Sequence, residues 1–279
     1  MKRAKRTIVI IGLALAGCSG PVHAPTVTPE MVNVRMFATT ATYPLLEDLA
    51  HAYSEPGRLL AFETVETSWA NIYAKLQSGE ITFALTTYLP HDAHLWAAPL
   101  GYDAIVVIVH ADNPVPNLSL DILARIFQGR ISNWAEVGGP DMPITVISRE
   151  DSADTGLAFR DQVMANQPIT LAAQLALSNS SMVDLVASGP GAIGFVSLGH
   201  LSTREHRVRA VPIASTPQTT PYQPTTQSVR SGRYPLRTPL VITGLQPPST
   251  PGSYLNWFAW MQNQQGQQIV SQHFVALQS

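Results

Sequence analysis

Arg149, followed closely by Glu150, Asp151, Ser152, Asp154 and Thr155, is the stretch of this chain best equipped for chemistry. Val146 and Ile147 end an apolar run that reads as a strand, and Leu157, Ala158, Phe159 and Val163 recur afterwards at helical spacing. A helix beginning between them leaves its first peptide N–H groups without intrahelical partners, and the local dipole favours an anion. Arg149 adds a planar fork of donors that suits an oxyanion. The competing reading is architectural: an Arg149–Asp151 pair can do no more than stitch a loop.

Other constellations are weaker. His91-Asp92-Ala93-His94 offers two imidazoles and a carboxylate, but no further ligand lies nearby in sequence, so no metal is expected. Serine, histidine and aspartate are all present without a Gly-x-Ser-x-Gly elbow, and there is no Walker-type phosphate loop; neither an enzyme nor a cofactor is expected. His200, Glu205 and His206, among Arg204, Arg207 and Arg209, read as a polar surface. Trp96, Trp134, Trp257 and Trp260 read as packing residues rather than sugar platforms.

The elements that must position Arg149 follow from periodicity. Strands are predicted over 34–37, 59–64, 81–85, 104–109, 192–196 and 239–243, with another ending at Arg149. Helices are predicted over 45–53, 69–77, 120–128, around Ala158, over 182–187, and as two pieces over 254–261 and 267–274. Thr42, Ser68 and Ser119 stand where N-caps belong, Pro44 suits a first turn, and Gly79 and Gly129 stand where helices close. Helices between strands predict a parallel sheet whose ligands sit at strand carboxyl ends. The apolar run 104–109 reads as the crossing into a second domain, and the proline-rich stretch 212–251 as an ordered return to the first.

The N-terminus addresses the compartment. Lys2, Arg3, Lys5 and Arg6 precede an apolar run over 7–16, and Leu15-Ala16-Gly17-Cys18 matches a lipoprotein cleavage box. Residues 1–17 therefore read as a signal peptide, Cys18 as the lipidated residue, and 18–32 as a tether. Losing those four cations takes the formal net charge from −2 to −6, which makes nucleic acid an unfavourable partner. Any anion site must then be built locally.

Taken together, Ala41-Thr42-Tyr43-Pro44, Ile126-Phe127-Gln128-Gly129-Arg130-Ile131-Ser132-Asn133-Trp134, the Arg149 stretch, Pro190-Gly191-Ala192-Ile193-Gly194-Phe195 and Ser231-Gly232-Arg233-Tyr234-Pro235-Leu236 resemble the substrate-binding proteins of bacterial ABC transporters. Within them the chain is similar to the phosphate-binding, PstS-like branch. The resemblance implies an α/β chain with the type II periplasmic binding protein fold, two lobes about a central ligand cleft. Residues 33–111 and 214–279 would form lobe I and 112–213 lobe II. It also implies a receptor outside the cytoplasm, anchored to the membrane by its N-terminal lipid, that delivers inorganic phosphate or a similar oxyanion to an ABC permease. A receptor for sulfate, molybdate or a phosphonate, or a signalling module on the same fold, is the alternative.

Residue by residue, the resemblance puts ligand contacts on Thr42 and Ser68 of lobe I and on Arg149 and Thr155 of lobe II, with Asp151 holding Arg149. It departs at two places. Ser152, Ala153 and Asp154 replace Gly-Ser-Gly, and Thr87 stands where phosphate-specific members carry an acid that accepts the ligand's proton. Asp154 then has two readings: its carboxylate replaces the missing acceptor, so that a protonated oxyanion is still preferred, or it caps its own helix and points to solvent, with only its backbone N–H facing the ligand.

Overall fold

A computed structural model describes residues 30–90, 93–150, 152–201, 206–249 and 252–277. The signal peptide, Cys18, most of the tether, the His91-Asp92 pair and Asp151 lie outside the described residues, as do Arg204 and Glu205. The chain opens with β1 (Glu30–Ala38), α1 (Tyr43–Ala52), β2 (Arg58–Glu66), α2 (Trp69–Gln77) and β3 (Phe83–Thr86). β1 pairs in parallel with β2 on one side and β3 on the other, as intervening helices require. Successive strand residues face opposite ways. Met36 and Leu85 accordingly meet Leu45, Leu46 and Leu49 of α1, while Phe37 and Ala84 meet Trp69, Ile72 and Leu76 of α2. Each such side chain taken from water stabilises the layer by about 1.5–3 kcal/mol.

Next comes β4 (Trp96–His110), 15 residues long, of which the sequence had suggested only the second part. It is followed by β5 (Leu118–Ser119), α3 (Leu120–Phe127), β6 (Thr145–Arg149), α4 (Asp154–Gln162), β7 (Gln174–Ala176), α5 (Asn179–Ser188), β8 (Ala192–Ser197), β9 (Val208–Ala210) and β10 (Ile213–Ala214). The return carries α6 (Thr226–Arg230), β11 (Arg237–Gly244), α7 (Ser253–Met261), α8 (Gln264–His273) and β12 (Val275–Ala276). The main sheet runs β2-β1-β3-β11-β4-β8-β6-β7.

β4 is the spine between two halves of this sheet. Up to Ala104 it pairs with β11, and from Ile105 it pairs with β8. The first half has its core around Leu45, Phe83, Leu240 and Trp257; the second is built around Phe127, Phe159 and Phe195, with Phe159 and Phe195 stacked at 4.0 Å. Val229, Tyr234 and Leu236, which the sequence reading grouped with lobe I, pack into the second core. The Tyr234 hydroxyl donates to Ile105 O (2.9 Å), bracing β4 where it changes partner.

The predicted parallel pairing holds for β2-β1-β3 in the first half and β8-β6-β7 in the second. β11 is antiparallel to β3 and β4, and β4 to β8, because β4 leaves the first half and β11 re-enters it in the opposite direction. The two-residue strands β5, β10 and β12 carry no periodicity of their own. Trp134 and Trp257 are fully buried, and Trp96 stacks on Phe258, so these three are packing residues. The specific run 126–134 is scaffold as well. Gly129 takes φ +74° so that Arg130 and Ile131 can donate back to Arg125 O, and Trp134 Nε1 donates to Gly191 O.

Candidate functional site

β6 delivers Arg149 at its carboxyl end, and the chain turns back so that Asp154 and Thr155 form the first turn of α4. Gly156 makes the turn possible, since a Cβ there would lie 2.9 Å from Glu150 O. The Arg149 stretch meets two loops of the first half: the one after β1, carrying Thr39, Thr40 and Ala41, and the one entering α2, carrying Glu66, Thr67 and Ser68. Together with Asn179 they enclose a cavity of about 240 Å³.

Arg149 is buried, and Glu150 lies near it, with Nη2 and Oε1 3.9 Å apart. Burial lowers the proton affinity of the guanidinium, and Glu150 partly offsets this. Among the described residues its Nε and Nη1 have no hydrogen-bond partner. Ser68 caps α2, its oxygen accepting from Asn71 N (3.4 Å), which leaves its hydroxyl proton for another acceptor. Thr155 is buried at the start of α4 beside the cavity.

Asp154 is buried and turned away from its own helix. It does not cap α4: the N-cap is Ala153, without a side-chain bond. Its carboxylate crosses to the first half instead. There Oδ2 accepts from the hydroxyls of Thr39, Thr86 (3.2 Å) and Thr87 (3.2 Å) and from Thr87 N (3.3 Å). Oδ1 is buried and has no partner among the described residues. Burial pushes this carboxyl above its ordinary value, against the hydrogen bonds from Thr39, Thr87 and Thr86 that pull it down.

Two expected positions stand differently. Thr42 is fully buried and outside the cavity lining, and the expected side-chain cap is absent because its hydroxyl donates to Leu85 O (2.8 Å). Thr39 and Thr40 stand at the cavity in its place; their position after β1 was the only sequence signal for them. Thr87 touches Asp154 and does not itself line the cavity. Asn179, with its Oδ1 unpartnered, had no local signal at all. His206 and His200 are exposed, as a polar surface requires. No metal-holding cluster occurs among the described residues, and none of their helices is long and apolar enough to cross a membrane.

Comparison with known proteins points the same way. Residues 23–264 match the family model described as PBP superfamily domain. The phosphate-binding protein PstS of Bacillus subtilis is 32% identical over 140 residues, covering 48% of this chain and 42% of that protein. The phosphate-binding protein PstS of Borreliella burgdorferi is 26% identical over 151 residues, covering 51% and 52%. The chain thus spans about half the length of these curated relatives. A Clostridium perfringens structure with bound phosphate, described as a phosphate ABC transporter substrate-binding protein, superposes with a TM-score of 0.73 at 25% identity, covering 88% of this chain and 99% of that one. The fold is that of the type II periplasmic binding proteins.

Proposed function

Because the chain belongs to the PBP superfamily, we propose that it is the solute-binding component of an ABC transporter, capturing a small tetrahedral oxyanion, phosphate first, in the cleft between its halves. One observation carries this reading. Arg149 Nε and Nη1 and Asp154 Oδ1 are buried without partners among the described residues, and both residues line one cavity at the start of α4. A buried donor or acceptor left unmet costs about 1–3 kcal/mol, more when charged, so such a set favours a ligand that satisfies it. A protonated oxyanion does: its oxygens accept from the guanidinium and its O–H donates to the carboxylate. Sulfate, without a proton near neutral pH, leaves Asp154 facing bare charge.

Ser68, Thr155 and the first-turn amides of α4 supply the remaining donors, with Asp151 holding Arg149. Thr42 and Thr87 shape the first-half wall, Thr87 through Asp154. The chain crosses from the first lobe to the second near residues 104 and 105 and returns near 236 and 237, where β4 and β11 pair. Cys18 carries the lipid that keeps the receptor at the outer face of the membrane, where it hands phosphate to a permease. The relatives are phosphate-binding proteins, and no turnover is proposed.

Calorimetry with phosphate, sulfate and molybdate tests this. Phosphate binds in preference to sulfate, and Arg149→Ala weakens it by at least about 100-fold, the scale for losing one partner of a buried charge pair. Equal binding of sulfate would remove the role given to Asp154, and unchanged phosphate binding by Arg149→Ala would remove Arg149 from the site.

A further inference from the structure

Asp154, Leu157 and Asp161 are spaced three and four residues apart on α4 and so share one of its faces. All three touch the first half of the sheet. Asp154 takes the hydroxyls of Thr39 and Thr87 on a single oxygen, and Thr86 Oγ1, 3.2 Å from the same oxygen, divides its one proton between it and Tyr88 O. Leu157, like Tyr88, packs against the first-half cluster that holds Trp69 and Ile72. The Tyr88 hydroxyl donates to Asp161 Oδ2 at 2.7 Å. The other side of the helix, Ala158 and Phe159, is sunk in the second core. One helix is therefore joined to both halves, by apolar contact and by hydrogen bonds to carboxylates, which are stronger than neutral ones.

We propose that α4 clasps the cleft shut before any ligand arrives, with Asp154 serving as the chain's own anion in the threonine cradle of the first half. The clasp takes the cleft to be the ligand site described above, but closure itself needs no ligand. A hydroxyl has one proton to give, so a threonine that donates to Asp154 does not donate to an incoming anion. Affinity is then written by Arg149, Ser68 and the start of α4, and the ligand does not have to supply the free energy of closure. Its entry requires the clasp to open.

The test is an inter-half distance measured by double electron–electron resonance. Spin labels are placed at Ala74→Cys on α2 and Ser180→Cys on α5, both exposed, in the full chain carrying Cys18→Ser so that no other thiol remains. Without ligand the parent shows one short distance that saturating inorganic phosphate leaves unchanged. Asp154→Ala lowers the ratio of closed to open molecules by about tenfold. Tyr88→Phe, which removes only the hydroxyl donated to Asp161, lowers it by about threefold and serves if Asp154→Ala does not fold. A ligand-free parent with a long or broad distance that shortens on adding phosphate overturns the clasp, as does a folded Asp154→Ala that stays closed. A parent that is closed yet binds no phosphate by calorimetry keeps the clasp and refutes the transport reading, so the two fail separately.

Discussion

Replacing Asp103 by asparagine should remove a defined pH dependence from the stability of this protein. Asp103 is 3% exposed and sits on β4 opposite Thr238, two residues before Ile105 takes up Ser197 of β8. Its carboxylate accepts from Ser197 Oγ (2.5 Å) and Gly199 N (3.4 Å). Burial nevertheless pushes the carboxyl from 3.8 up to about 6, because the hydrogen bonds recover only part of the lost hydration. A raised pKa means that the folded chain holds this proton more tightly than the unfolded one. The stability it contributes is fully present below about pH 4 and lost as pH rises through about 6. A shift of about two units is worth about 3 kcal/mol. Asparagine keeps the shape and one acceptor, has no charge to bury, and does not titrate. Urea unfolding of both proteins from about pH 4 to about pH 8 measures the difference. The stability of the parent relative to Asp103→Asn should fall by about 2–2.5 kcal/mol across this range and level off above about pH 7. A difference that is flat, or that rises with pH, would refute the argument from burial at the crossing of β4.

Thr42→Val removes the hydroxyl that donates to Leu85 O; it should cost about 1–3 kcal/mol in urea unfolding while phosphate affinity stays within about threefold. A tenfold loss of affinity at unchanged stability would return Thr42 to the ligand. Phe159→Ala opens a void beside Phe195 and Phe127 and should cost about 3–5 kcal/mol, read from the shift in denaturation midpoint. A cost below about 1 kcal/mol would mean that this aromatic stack contributes little to the second core.

Much of the framework was legible because it is locally encoded. The spacing of Leu45 and Leu49, the Ser68 and Ser119 caps and the turn at Gly129 each depend on neighbours within a few residues, and the corresponding helices stand where they were expected. Arg149 was visible for the same reason, a cation between a strand end and a helix start. Thr42 stands at the N-cap position of α1 as expected, but that its hydroxyl donates to a strand 43 residues away is invisible in a one-dimensional pattern. Nor could residue types decide whether Asp154 faced solvent or crossed the cleft, since its partners lie 115, 68 and 67 residues away.

Periodicity and backbone groups within one turn made the longer strands and most helices readable from residue order alone, together with the anion-favouring helix start and the arginine beside it. Only the tertiary structure decided that β4 is shared by both halves, that Thr39 rather than Thr42 reaches the cavity, and that the carboxylate of Asp154 is held by three threonines of the opposite half. Those outcomes depend on how two distant segments are brought together and desolvated, and no local pattern carries that distance.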